Sequence, residues 1–119
     1  MKHYDVTATP EQVLSRDFSE DFVQKMRNRI VVSHYKYGWM KDTYPELADA
    51  VACLEERLEL FKKTGNLEHL VDVANFAMIE YLHPRHPNAH FEGTDSDKSP
   101  GLVGTSYKQM MDEMEGRDY

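Results

Sequence analysis

Apolar residues recur along this chain at spacings of three and four, the mark of helices with one buried face. Thr9-Pro10-Glu11-Gln12 reads as a helix start, with threonine as N-cap, proline first in the helix and glutamine at the third position. The helix it opens is short, and residues 1–8 read as a frayed lead-in. A longer helix is predicted from near Ser19 to about Tyr35, with Phe22, Val23, Met26, Ile30 and Ser33 or His34 inward and Lys25, Arg27 and Arg29 outward. Gly38 stops it. Asp42-Thr43-Tyr44-Pro45-Glu46 reads as a third start, and Leu47, Val51, Leu54, Leu58 and Phe61 give that helix a narrow apolar seam. Lys62-Lys63-Thr64-Gly65-Asn66 closes it. A fourth helix begins at once, at Asn66 or Leu67, and ends before His83-Pro84.

The short link makes helices three and four an antiparallel hairpin, with the longer helix packed across it. The expected fold is therefore an all-α helical bundle with an irregular C-terminal segment. One domain over 1–119 is expected, with a helical core at 9–82, an irregular loop at 83–105 and a short helix at 106–115. Tyr107, Met110, Met111 and Met114 would give that last helix an apolar edge. The fourth helix is apolar on more sides than so small a chain can cover, so a homodimer or higher homo-oligomer is expected.

Composition narrows the function classes. In 119 residues, 14 lysines and arginines face 21 aspartates and glutamates, a net charge of −7. That disfavours nucleic-acid and anionic-membrane binding, which need a basic footprint. It leaves room for a ligand that carries its own divalent cation. The lone cysteine, Cys53, forbids an intrachain disulfide and reads as core packing. No signal peptide is visible and no apolar run is long enough for a bilayer, so a soluble, cytoplasmic protein is expected.

Candidate chemistry centres on the hairpin. Glu68, Asp72 and Asn75 share one stripe of the fourth helix, which is otherwise strongly apolar. A carboxylate buried there requires a partner, a hydrogen-bond donor or a metal. Helix three carries Glu55-Glu56-Arg57-Leu58-Glu59, and antiparallel packing draws it toward Glu68-His69-Leu70-Val71-Asp72. Paired acidic helices are a common way to hold Mg²⁺. The alternatives are structural: a solvated face in which Glu55, Glu56 and Glu59 pair with Arg57, Lys62 and Lys63, and an Asp72–Asn75 pair that orients the bend at 36–38 or bonds to helix two.

Glu55-Glu56-x-x-Glu59, followed by the acidic element ending in Asp72, resembles the all-α nucleoside triphosphate pyrophosphohydrolases of the MazG type, which include the dimeric dUTPases. Lys36-Tyr37-Gly38-Trp39 resembles a Lys-aromatic-Gly segment that precedes the acidic helix in some MazG-like proteins, and the likeness covers roughly residues 27–81. His69 stands where the family's Glu-x-x-Asp has its glutamate, with Glu68 one residue earlier. The resemblance implies a helical, oligomeric, Mg²⁺-dependent enzyme that cuts nucleoside triphosphates to monophosphate and pyrophosphate. Glu56, Glu59 and Asp72 would hold the metal and Glu55 or Glu68 would act on the attacking water. Lys36, Trp39, His69 and Asn75 would meet the nucleotide. A non-hydrolysing relative is the variant of this reading.

Other features add less. Lys25, Arg29, Lys36 and Lys41 stand near Tyr37 and Trp39, a combination suited to phosphates and a stacked base or to ordinary surface charge. His83, His86 and His90 lie in a Pro-rich loop with no cysteine, unlike the usual structural-zinc pattern. Arg85 in that loop would serve an anion or simply pack. The alternative function class is a small non-catalytic interaction module of the phage-type accessory or inhibitor kind, whose acidic surface meets a protein partner.

Overall fold

The computed structural model describes residues 7–94, together with the backbone of 100–102 and 105–106. Four α-helices make up the described fold: α1 (Pro10–Asp17), α2 (Glu20–Tyr37), α3 (Ala50–Thr64) and α4 (Glu68–Leu82), with a single 3-10 turn at Met40–Asp42. Helices α2 to α4 lie in one unit, Phe18–Ala89, while α1 and the segment from His90 onward belong to another. In that second unit, Pro100–Leu102 and Thr105–Ser106 form a minimal antiparallel ladder. The helix expected over 106–115 lies outside the described residues, apart from Ser106.

The ends of the helices follow local chemistry. Thr9 and Gln12 cap α1 reciprocally: the Gln12 N–H donates to Thr9 Oγ1 and the Thr9 N–H to Gln12 Oε1. Ser19 Oγ accepts from the Phe22 N–H at 2.9 Å and starts α2. Gly38 ends it at φ +85°, ψ −160°, its N–H donating to the His34 carbonyl at 2.8 Å. Gly65 closes α3 in the left-handed region, φ +71°, donating to the Phe61 carbonyl. Asn66 Oδ1 then accepts from the Glu68 N–H at 3.0 Å, so α4 begins two residues after α3 has stopped.

Helix α3 starts later than its sequence suggests. Asp42 ends the 3-10 turn and residues 43–47 form the turns after it, and Asp49 is the true cap, its Oδ1 accepting from the Ala52 N–H at 3.1 Å. The Tyr44–Pro45 peptide is cis. Residues preceding proline disfavour helical geometry, and Asp49 offers the next carboxylate at an N-cap spacing. Leu47 consequently lies outside the helix and is 82% exposed. The inner face of α3 is also rotated from the expected seam: Ala50 is buried, Cys53, Leu54, Arg57, Leu58 and Phe61 are half-buried, and Val51 is exposed.

Helices α3 and α4 pack as the expected antiparallel hairpin, and α2 lies more lightly against α4. The apolar core is small: among the described residues only Ala50, Val71 and Ile79 are buried apolar residues. Asp72 and Asn75 are buried beside them. Beyond α4 the chain is fastened by Arg85. Its N–H donates to Glu80 Oε2 at 2.8 Å, and its guanidinium lies 3.4 Å from Asp49 at the head of α3. Arg85 thus packs the loop onto the hairpin.

Candidate functional site

The polar stripe on α4 is resolved chiefly by helix α2. Arg29 Nε lies 3.2 Å from Asp72 Oδ1 and its terminal nitrogen 3.4 Å from Oδ2, a fork on a carboxylate. Arg29 was expected to face outward. Its long side chain bends back instead, because an ionised Asp72 at 8% exposure requires a countercharge. One turn further along α4, Asn75 Nδ2 donates to the Met26 carbonyl at 3.2 Å. The third member of the stripe, Glu68, is exposed. Of the structural alternatives, bonding to helix two is the one realised.

The acidic residues of α3 lie elsewhere. Glu55, Glu56 and Glu59 are exposed, and Glu59 pairs with Lys62 at 3.3 Å. Glu55 and Glu59 face away from Ala50 and Arg57, while Glu56 stands at the edge, one turn from Cys53. Among the described residues no three His, Cys, Asp or Glu side chains come together in a way that would hold a metal ion. The donor set as placed, with Asp72 already forked by Arg29, does not make a protein-built Mg²⁺ centre. His69 is half-buried at the start of α4, its Nδ1 without a hydrogen-bond partner, and lies outside both cavities described below. Of the loop histidines, His86 Nδ1 accepts from the Asn88 N–H and His90 stands 3.5 Å from Glu92.

What the fold does build is a cavity of about 570 Å³ enclosed by α2, the 3-10 turn, α3 and α4. Arg29 and Lys36 enter from α2, Arg57 from α3, and Asp72 and Asn75 from α4. Ser33, Tyr37, Thr43, Tyr44 and Cys53 add further polar groups to the wall. Cations outnumber carboxylates three to one in this lining, so the cavity favours an anion although the chain as a whole is acidic. Arg57 is the residue that sequence reasoning missed. It interrupts an acidic run and looks like a surface ion-pair partner. Yet it lies seven residues from the buried Ala50, two helical turns, and so shares its face.

Burial pushes the Cys53 thiol above its ordinary value, with Glu56 and Asp49 adding to the rise and Arg57 opposing it. Burial likewise raises the Tyr44 phenol, with Cys53 adding and Arg57 opposing. Both groups keep their protons near neutrality, so they offer the cavity neutral polar atoms.

A second cavity, about 500 Å³, adjoins the first through Ile30, Ser33, Gly38 and Met40. Trp39, His34, Lys41 and His83 line it. The Trp39 ring is 63% exposed and rests at 4.3 Å from the His34 ring. Lys36 and Trp39, placed together by sequence, therefore serve neighbouring cavities. Lys25 is engaged by Asp21 at 2.6 Å and belongs to neither.

In comparisons with protein-family models, curated proteins and solved structures, nothing matches this chain. No described helix is long and apolar enough to cross a membrane.

Proposed function

We propose that this protein binds a nucleotide, its phosphates in the cationic cavity between α2, α3 and α4 and its base toward Trp39. The observation that carries this reading is the cavity lining. Arg29, Lys36 and Arg57 converge there, with an exposed aromatic plane next door. The MazG-like pattern of residues supports the same ligand class. Hydrolysis to monophosphate and pyrophosphate is the reaction that pattern implies. Binding is the part for which the cavity speaks.

The test is calorimetric titration of the full chain with a panel of ribo- and deoxyribonucleoside triphosphates, with products resolved by chromatography. Saturable binding of at least one triphosphate supports the reading. A panel that neither binds nor turns over, with or without Mg²⁺, overturns it.

A second reading rests on a different observation. Val31 and Tyr35 lie four apart near the end of α2, and Trp39 follows just beyond Gly38; they are 54%, 83% and 63% exposed. Large apolar groups in that arrangement suit a protein–protein contact. We propose self-association through this edge, which would cover what the small core leaves open. Light scattering after size exclusion checks it: a dimer that dissociates on Tyr35→Glu is expected, and a monomer at micromolar concentration counts against it.

A further inference from the structure

Two residues that line the cationic cavity each carry a buried side-chain polar atom with no hydrogen-bond partner in the protein: Arg57 its Nε–H, a donor, and Asn75 its Oδ1, an acceptor. Asn75 is only 6% exposed, and its other amide atom is fixed on the Met26 carbonyl, which settles which way the side chain points. Leaving either group unmet costs on the order of 1–3 kcal/mol, so such pairs are rare unless something else meets them.

Resting on the nucleotide reading, we propose that the cavity takes the phosphate oxygens directly on Arg57, without a bridging metal, while Asn75 accepts a hydrogen bond from an N–H or O–H of the nucleoside part. The charge balance argues the same way. Among the described residues the only carboxylate in the lining is Asp72, and Arg29 already holds it. A bare divalent cation therefore meets net repulsion, whereas a phosphate meets two further cations, Lys36 and Arg57. Arg57 supplies the planar fork that suits phosphate oxygens, and Lys36 supplies a more mobile charge at the exposed rim.

The experiment is isothermal titration of the full chain with inorganic pyrophosphate and with deoxynucleoside triphosphates, first in EDTA and then in Mg²⁺. Binding in EDTA is expected, with Arg57→Met weakening both ligands about tenfold or more. Arg57→Lys restores charge without the Nε–H and is expected to lie between. Circular dichroism and melting temperature verify that each variant is folded. Should Arg57→Met unfold, Lys36→Met, at an exposed position of the same cavity, is expected to weaken pyrophosphate several-fold. Nucleotide binding that requires Mg²⁺, or that Arg57→Met leaves unchanged, overturns the direct contact while the nucleotide reading stands. Absence of nucleotide binding in both buffers overturns that reading and this one with it.

Discussion

Arg29 of α2 forks the Asp72 carboxylate of α4 across 43 residues of sequence, at 3.2 and 3.4 Å. The carboxylate is buried and the guanidinium is about half exposed, its side chain keeping 45% of its accessible surface. The pair is therefore a partly solvated tie between two helices that otherwise pack lightly. Its strength is set less by Coulomb attraction than by the cost of leaving Asp72 alone.

Removing the arginine should thus cost more than removing both partners. Arg29→Ala is expected to destabilise the fold by about 1–3 kcal/mol, since a charged hydrogen-bonded group loses its partner. Arg29→Ala with Asp72→Asn should recover part of that loss. Urea denaturation of the two single variants and the double variant measures the coupling. A double variant as unstable as the sum of the singles would remove the pair from the account.

Asn75 makes the second tie. Asn75→Leu abolishes the bond to the Met26 carbonyl and should cost about 1 kcal/mol in stability, partly offset by apolar burial. The same change removes the acceptor Oδ1, so nucleotide affinity should fall while pyrophosphate affinity holds. Parallel melting curves and titrations separate the two effects.

Gly38 and Gly65 differ in how they tolerate a side chain. No atom lies within 4 Å of a Cβ built at either position, so only the backbone decides. Gly65, at φ +71° and ψ 8°, lies in the left-handed helical region, and Gly65→Ala should cost about 1 kcal/mol. Gly65→Asn should cost less. Gly38, at φ +85° and ψ −160°, occupies a region that is nearly glycine-only, and Gly38→Ala should cost about 1–3 kcal/mol. Because Gly38 borders both cavities, this variant should weaken ligand as well.

Alkaline pH should destabilise the fold. Cys53 and Tyr44 ionise above their ordinary values of 9.0 and 10.0 when folded. Below about pH 8 both states hold these protons and the two groups contribute little slope. As pH rises further the unfolded chain releases them first, so it binds fewer protons than the native state and stability falls. Urea midpoints from about pH 8 to about pH 10.5 should fall, and Cys53→Ser with Tyr44→Phe should flatten part of the decline. A slope indifferent to both changes would assign it to other groups.

Asp49 should matter at two levels. Asp49→Ala removes the α3 cap and the partner of Arg85, with an expected loss of about 1 kcal/mol, most of it from the cap. Asp49→Ser keeps the cap alone and should recover most of it. Thermal melts of the two variants give the split.

The sequence by itself determined the helices and most of their limits. Ser19, Gly38, Gly65 and Asn66 act within one turn of themselves, and such signals survive without knowledge of the rest of the chain. The short link then dictates the antiparallel hairpin. It also marked Asp72 and Asn75, because an ionisable group among apolar neighbours stands out in any window. Tertiary structure decided the rest. The start read at 42–46 is taken up by turns around Pro45, and α3 is capped instead by Asp49. Packing against α4 set which side of α3 faces inward, with Arg57 half-buried and Val51 and the acidic triplet exposed. Arg29 turned inward for the same kind of reason: a long cation goes where a buried charge needs it, and spacing along one helix cannot say where that charge sits.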